Sequence, residues 1–126
     1  MTTAEAEVTL HSFPTIFSLN GKVAVVTGGS RGLGLHAASG LIQAGCKKVF
    51  ITSRKAQACE EACAALNALP NPQGWEQPRA VSVPADIGRG VEEIERLVKE
   101  VGKVVDRVDI LFANAGATCE CCFRLT

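Results

Sequence analysis

The sequence lacks a net charge, a long apolar run and tyrosine, and the first two absences exclude whole classes of function. Thirteen Lys and Arg residues balance thirteen Asp and Glu residues, so we expect no nucleic-acid partner. No apolar run approaches the roughly 20 residues that a membrane-spanning helix needs, so we expect no membrane partner. A chain of 126 residues with 47% hydrophobic and 21% charged residues is typical of one globular domain.

The first 20 residues also lack Lys and Arg, although they contain Glu5 and Glu7. Signal and transit peptides need basic residues, so the sequence predicts neither, and we expect a cytoplasmic protein. Of the six cysteines, Cys59 and Cys63 lie in a helical pattern and three others fall in the last eight residues. This distribution favours reduced thiols over a secreted disulfide framework.

Strand and helix patterns alternate along the chain. Residues 1–20 show no sustained periodicity and are interpreted as an N-terminal extension. Short apolar runs typical of buried parallel strands occur at 23–26, 49–52, 80–83 and 110–113. Helical periodicity lies between them, over about 32–44, 59–69 and 91–105. In the last of these we expect Glu92 to pair with Arg96, and Glu95 with Lys99, on the outer face. The apolar face consists of Val91, Ile94, Leu97, Val98, Val101, Val104 and Val105. The pattern predicts an α/β fold, a truncated Rossmann-type doubly wound parallel sheet (β-α-β-α-β-α-β) with strand order 3-2-1-4 and helices on both faces.

The strongest local signal is the glycine-rich turn Thr27-Gly28-Gly29-Ser30-Arg31-Gly32-Leu33-Gly34, which follows the first strand. A helix N-terminus offers unpaired N–H groups and partial positive charge to a dinucleotide pyrophosphate. We expect Gly28 to make the tight exit from the strand, Gly32 to let backbone approach the phosphates, and Gly34 to let the helix pack close to the sheet. A plain strand-to-helix connector is the alternative, but the position between strand and helix favours nucleotide binding.

This turn resembles the cofactor motif of the short-chain dehydrogenase/reductase family. Asp86 in Pro84-Ala85-Asp86-Ile87 resembles the acidic residue that in the family follows the third strand and contacts the adenine. Asn114-Ala115-Gly116 resembles the motif that ends the fourth strand. The resemblance covers residues 20 to about 117 and is nearest to the 3-oxoacyl-acyl-carrier-protein reductase-like branch. Two alternatives stay open: Asp86 as the N-cap of the following helix, and Asn114 as a tie between backbone segments of the sheet.

The cofactor preference rests on the end of the second strand, Thr52-Ser53-Arg54-Lys55, which has no carboxylate to accept hydrogen bonds from a ribose 2′-hydroxyl. Arg54 can bind a 2′-phosphate with a fork of donors, and Arg31 can close on it from the other side. NADP(H) is therefore predicted over NAD(H). Alternatively, Arg54 and Lys55 are a solvated pair at a helix start. The candidate cofactor-binding residues are Gly28, Ser30, Arg31, Gly32, Leu33, Gly34, Arg54, Asp86, Ile87, Asn114, Ala115 and Gly116.

The resemblance also implies what this chain does not contain. Members of the family use a Ser, a Tyr and a Lys in a Y-x-x-x-K arrangement, all beyond the fourth strand, whereas this chain has no tyrosine. We therefore predict no catalytic residue here and no activity for the chain alone. Residues 118–126 do not look like the family and are interpreted as a Cys-rich tail from a truncated or mis-spliced coding sequence, after an NAD(P)-binding half-domain at 21–117. Cys119, Cys121 and Cys122 lack the partners of a four-ligand metal site, so no metal is predicted.

These expectations combine into one leading hypothesis and two alternatives. The leading one is the NADP(H)-binding portion of a short-chain dehydrogenase/reductase-type oxidoreductase, a class that reduces carbonyls or oxidises alcohols. The alternatives are a non-catalytic cofactor- or partner-binding fragment, and a non-functional truncated gene product. The fourth strand is apolar on both faces and would lie at the sheet edge, so we also expect homo-oligomerisation, edge-strand pairing or poor solubility.

Overall fold

The computed structural model describes residues 2–8 and 16–116, and within them it forms a parallel four-stranded sheet with helices on both faces. The strands are β1 (Val23–Thr27), β2 (Lys48–Thr52), β3 (Ala80–Ser82) and β4 (Ile110–Ala113). The helices are α1 (Thr3–Val8), α2 (Gly32–Gln43), α3 (Ala56–Asn67) and α4 (Val91–Gly102), with a 3₁₀ turn at Ile87–Arg89. The sheet order β3-β2-β1-β4 confirms the predicted fold class and strand order.

Strand β1 lies at the centre of this sheet, and all five of its residues are buried. It pairs in parallel with β2 on one side and with β4 on the other, so that Val25 lies opposite both Phe50 and Leu111. Continuous apolar strands of this kind need cover on both faces, and each fully buried Val or Ile contributes about 1.5–3 kcal/mol.

The core consists of two apolar clusters, one on each face of the sheet. Helices α2 and α3 cover the first, which comprises Ala24, Val26, Ala38, Ile42, Cys46, Val49, Ile51, Cys59, Cys63, Leu66 and Ala80. Helix α4 covers the second, which comprises Val23, Val25, Phe50, Val83, Ala85, Leu97 and Val101. Cys46, Cys59 and Cys63 are free thiols, and burial raises the pKa of Cys46 to about 11 and that of Cys63 to about 12.

Helix α4 departs from its predicted form in two respects. It ends at Gly102, so Val104 and Val105, which continue the apolar periodicity, lie beyond it. On its predicted apolar face only Leu97 and Val101 are buried, whereas Val91, Ile94 and Val98 are exposed. Periodicity identifies a helix face that can be buried, but the tertiary structure decides how much of that face is covered.

Arg79 stabilises the end of α2, a role that the sequence did not indicate. Its side chain is fully buried and its guanidinium donates to the carbonyl oxygens of Ile42 at 2.8 Å, Cys46 at 2.6 Å and Pro70 at 3.4 Å. The last carbonyls of a helix have no partners within the helix and need such donors. Arg79 thereby joins the C-terminus of α2 to the loop that follows α3.

The N-terminal segment contains a short helix, α1, where the sequence predicted no element, and those of its side chains that the structure describes are exposed. Among the described residues, none of the helices is long and apolar enough to cross a membrane.

Candidate cofactor site

A cavity of about 670 Å³ lies at the carboxyl ends of the strands. Ligands of open parallel α/β sheets bind at this edge. The cavity is lined by Thr27, Gly28, Ser30, Arg31, Gly32, Thr52, Ser53, Arg54, Lys55, Ala58, Ala85, Asp86, Ile87, Gly88, Asn114, Ala115 and Gly116. All the predicted site residues except Leu33 and Gly34 are in this lining, so the fold brings together three motifs that are far apart in the sequence.

The glycines of the turn between β1 and α2 have different surroundings. Gly28 has a φ of +67°, and a Cβ added there would lie 3.0 Å from the Cα of Ala115. A Cβ on Gly34 would overlap the carbonyl oxygen of Gly28, so α2 approaches the turn as closely as its backbone allows. Gly32 has a φ of +58° and open space where its Cβ would be. Gly28 and Gly34 thus allow close packing of the chain on itself, whereas Gly32 leaves backbone accessible from the cavity.

Two helix N-termini, those of α2 and α3, begin at this cavity. Their N-cap residues, Arg31 and Lys55, make no side-chain capping hydrogen bond, and the first turn of each helix has no acidic residue. Backbone N–H groups at a helix start are commonly capped by such side chains. Here they remain free of a side-chain cap, which is the arrangement that an anion can use.

Thr27 and Asn114 fasten the end of β4 to the glycine turn. Thr27 Oγ1 accepts hydrogen bonds from the backbone N–H groups of Asn114 and Ala115, both at 3.0 Å. Asn114 Nδ2 donates to the carbonyl oxygen of Gly28 at 3.4 Å. The alternative role of Asn114, as a tie between backbone segments, is therefore confirmed. Thr27 was not among the predicted site residues, although its position as a hydroxyl residue at the end of a buried strand was a usable signal.

Asp86 caps the 3₁₀ turn that follows β3. Its Oδ1 accepts from the backbone N–H of Gly88 at 3.1 Å, and its Oδ2 lies 3.6 Å from Nε of Arg89. The capping alternative is thus confirmed for this turn, whereas α4 begins only at Val91 and has Gly90 as its N-cap. Because the Asp86 side chain is 37% exposed and lines the cavity, capping leaves it accessible to a ligand.

Glu93 anchors the segment containing Asp86 to α4. Its Oε1 accepts from Arg96 Nη2 at 2.8 Å and from the backbone N–H of Asp86 at 3.2 Å. The Arg96 hydrogen bond and then the Asp86 N–H hold the pKa of Glu93 down to about 2. Arg96 also donates to the carbonyl oxygen of Pro84 at 2.7 Å. Spacing of four suggested Glu92 as the partner of Arg96, which was wrong because Arg96 turns toward the loop and pairs with Glu93 instead.

The cavity lining carries excess positive charge. It includes three exposed cationic side chains, Arg31, Arg54 and Lys55, and one carboxylate, Asp86. The chain as a whole has no net charge, so the site is locally more basic than the molecule. The lining also includes residues that sequence reasoning did not select: Thr27, Thr52, Ser53, Lys55, Ala58, Ala85 and Gly88.

A dinucleotide phosphate fits the donor set at this cavity. Thr52 lines the cavity, and its buried hydroxyl has no hydrogen-bond partner among the described residues. The accessible backbone at Gly32, the two uncapped helix starts and the cationic side chains add further donors. A volume of about 670 Å³ falls within the range of small-molecule and cofactor sites. Cys119, Cys121 and Cys122 lie outside the described residues, so the expectation that they bind no metal stays a prediction.

Comparison with known proteins agrees with this geometry. The sequence matches the short chain dehydrogenase family over residues 22–125. It is 40% identical over 102 residues to a rhamnolipids biosynthesis 3-oxoacyl-[acyl-carrier-protein] reductase of Pseudomonas aeruginosa, covering 81% of this chain and 36% of that protein. It is 36% identical over 103 residues to a tetrahydroxynaphthalene reductase of Pyricularia oryzae, covering 82% of this chain and 34% of that protein. The chain therefore spans about a third of the length of these relatives.

Two solved structures show the same fold. A Pseudomonas aeruginosa RhlG/NADP active-site complex superposes with a TM-score of 0.71 at 38% identity, covering 86% of this chain and 39% of the other. An L-sorbose reductase from Gluconobacter frateurii, complexed with NADPH and L-sorbose, gives a TM-score of 0.70 at 29% identity, covering 82% of this chain and 36% of the other. The family match runs to residue 125, past the boundary predicted near residue 117, and that boundary stays a prediction. From the family match, this chain belongs to the short-chain dehydrogenase family.

Proposed function

We propose that this chain is the NADP(H)-binding portion of a short-chain dehydrogenase/reductase-type oxidoreductase. The observation that carries the proposal is the convergence of an uncapped α2 N-terminus, the open backbone at Gly32, and the side chains of Arg31 and Arg54 on one cavity. Anionic ligands are favoured where backbone N–H groups, a helix dipole and fixed cations act together.

The glycine turn binds the pyrophosphate in this proposal. Backbone N–H groups between Ser30 and Gly34 donate to the phosphate oxygens, and the partial positive charge of α2 adds to the attraction. Thr27 and Asn114 hold the turn in place from β4. Asp86 and Ile87 also line the cavity, and in this proposal they contact the adenine.

Arg54, Lys55 and Arg31 determine the preference for NADP(H) over NAD(H). A 2′-phosphate carries charge that these three cations neutralise, whereas a ribose 2′-hydroxyl gains little from them. The second strand ends without a carboxylate that could bind that hydroxyl. Two of the similar solved structures contain NADP or NADPH, which supports the same preference here.

The nicotinamide cofactor would supply the hydride chemistry of carbonyl reduction or alcohol oxidation, the reaction class that we propose for the whole protein. This chain binds and orients the cofactor. Because it has no tyrosine, it lacks the acid/base group that the family resemblance implies, and we expect no turnover from these residues alone.

The balanced charge supports the absence of a nucleic-acid partner, and the free buried thiols fit a reducing cytoplasm.

Thermal unfolding with each cofactor tests this proposal. At a concentration of 100 times its Kd, a ligand stabilises the folded state by about 2.7 kcal/mol, which raises the Tm by several degrees. We expect NADPH to give such a shift at concentrations where NADH gives a much smaller one. Arg54→Gln should weaken NADPH binding about tenfold and leave NADH binding nearly unchanged. Lys99→Gln, an exposed change on α4 away from the cavity, is the control, and equal shifts with both cofactors would contradict the proposal.

A further inference from the structure

The segment between β2 and α3 is held rigidly at the cavity wall. The carbonyl oxygen of Thr52 accepts from the backbone N–H of Gly28 at 2.9 Å, and that of Ser53 accepts from the backbone N–H of Ala85 at 3.0 Å. The backbone leading into Arg54 is therefore fastened both to the glycine turn and to the segment after β3. These hydrogen bonds join only backbone atoms, so they do not fix the direction in which the Ser53 O–H bond points.

A buried thiol contacts that hydroxyl. Sγ of Cys59 lies 3.0 Å from Oγ of Ser53, a contact in which either atom can be the donor. The S–H can also donate to the Ser53 carbonyl oxygen, which is more distant at 3.9 Å. Cys59 is fully buried in the cluster under α3, and its backbone N–H donates to the Lys55 carbonyl oxygen at 3.1 Å in the first turn of the helix. The Cys59 thiol therefore contacts Ser53 from the buried cluster, and Ser53 itself lines the cavity.

We propose that Cys59 is a positioning residue for cofactor selectivity: its S–H donates to Ser53 Oγ and so directs the Ser53 O–H into the cavity, toward the 2′-phosphate. This inference rests on the proposed function, since it assigns a selectivity role within the same site. A hydroxyl has one hydrogen and two acceptor positions. When the thiol uses one acceptor position, the single hydrogen of Ser53 is available to the ligand.

The two cofactors respond differently to such a donor. Phosphate oxygens only accept hydrogen bonds, so a Ser53 hydroxyl committed to donating strengthens NADP(H) binding. The ribose 2′-hydroxyl of NAD(H) can both donate and accept, so it can bond to Ser53 in either orientation. Loss of the thiol should therefore weaken NADPH binding and leave NADH binding almost unchanged.

Calorimetric titration of the 126-residue chain with NADPH and with NADH tests the inference. We expect Cys59→Ala to weaken NADPH binding about three- to tenfold and to change NADH binding less than twofold. Cys59→Ser, which keeps a donor at the same position, should restore NADPH binding to within twofold of the original. Ser53→Ala should reproduce the loss, and Cys59→Ala should add nothing further to it.

Cys63→Ala is the matched control. Cys63 lies one turn further along α3, in the same apolar cluster and almost fully buried, so its truncation causes a similar packing loss away from Ser53. The inference is overturned if Cys59→Ala and Cys63→Ala give the same ratio of NADPH to NADH affinity, or if Cys59→Ala weakens both cofactors equally. If the unsubstituted chain binds NADPH no more tightly than NADH, the proposed function itself is contradicted. Failure of the proposed function and failure of this inference are therefore distinguishable. If Cys59→Ala does not fold, Cys59→Val, which fills the space but has no donor, replaces it and should show the same selective loss of NADPH affinity; an unchanged ratio of NADPH to NADH affinity in Cys59→Val overturns the inference.

Discussion

At the scale of single residues, identical amino acids in the glycine turn have different tasks. Gly34 has no room for a side chain because the backbone of Gly28 is in contact with it, whereas Gly32 faces open space. The motif spacing correctly predicted close packing at Gly34. The role predicted for Gly32, access of the phosphates to backbone, stays a prediction that the open space fits. The spacing did not predict the contact between Ser53 and Cys59 or the hydrogen bonds of Thr27 to Asn114 and Ala115, because these depend on how elements pack and not on local pattern.

Gly34→Ala should destabilise the chain and weaken cofactor binding. The added Cβ would overlap the Gly28 carbonyl oxygen and lie 2.7 Å from Asn114 Nδ2, so the turn and α2 must separate. Overpacking of this kind costs about 1–3 kcal/mol. Gly40→Ala, in the same helix but with free space around it, should instead stabilise the chain by about 0.5–1 kcal/mol. Urea unfolding of both variants checks these expectations. An unchanged unfolding midpoint for Gly34→Ala would show that the turn accommodates the added Cβ and that the prediction is wrong.

At the scale of elements, helix α4 shows what periodicity can and cannot predict. Its apolar repeat correctly placed a helix from residue 91, but it also suggested a longer helix and a broader buried face than the structure has. Its charges were expected to pair along its outer face, yet Arg96 and Glu93 bond to the backbone of Pro84 and Asp86. Sequence spacing does not show that a loop from elsewhere competes for the same side chains.

Glu93 should make the free energy of unfolding depend on pH in the acid range. Its pKa falls from an ordinary value of 4.5 to about 2 in the folded chain, so its ionised form stabilises the fold above about pH 4.5. That contribution is lost as the pH falls from 4.5 toward 2. Glu93→Gln should flatten this part of the profile, whereas Glu95→Gln, an exposed change on the same helix, should not. Urea midpoints measured between pH 5 and pH 2.5 test this, and parallel profiles for all three chains would contradict it.

At the scale of the whole molecule, the sequence predicted the fold class, the strand order and the cavity edge, because alternating buried strands and helices leave few topologies. It also predicted most of the cavity lining through three motifs. Thr52 was missed, and so was Arg79, since no sequence pattern shows that a buried arginine donates hydrogen bonds to the carbonyl oxygens of a distant helix. Within the described residues, β4 pairs only with β1, and its Leu111 and Phe112 are 67% and 40% exposed.

The 126-residue chain should self-associate through β4. An edge strand with exposed apolar side chains presents unpaired backbone groups that favour pairing with another strand. Sedimentation velocity should show association that increases with concentration, and Leu111→Lys should reduce it. Ala65→Lys, on an exposed position of α3, should leave it unchanged. A monodisperse monomer at all concentrations would contradict this prediction.

We expect the edge of the sheet that carries the cavity to recognise a 2′-phosphorylated adenosine. Calorimetric titration of the chain with 2′,5′-ADP and with 5′-AMP tests this, because the two nucleotides differ only in the 2′-phosphate. Because Arg31, Arg54 and Lys55 line the cavity, we predict at least about tenfold tighter binding of 2′,5′-ADP, corresponding to about 1.4 kcal/mol. Equal affinity for the two nucleotides, or binding of neither, would show that this edge of the sheet does not recognise the 2′-phosphate.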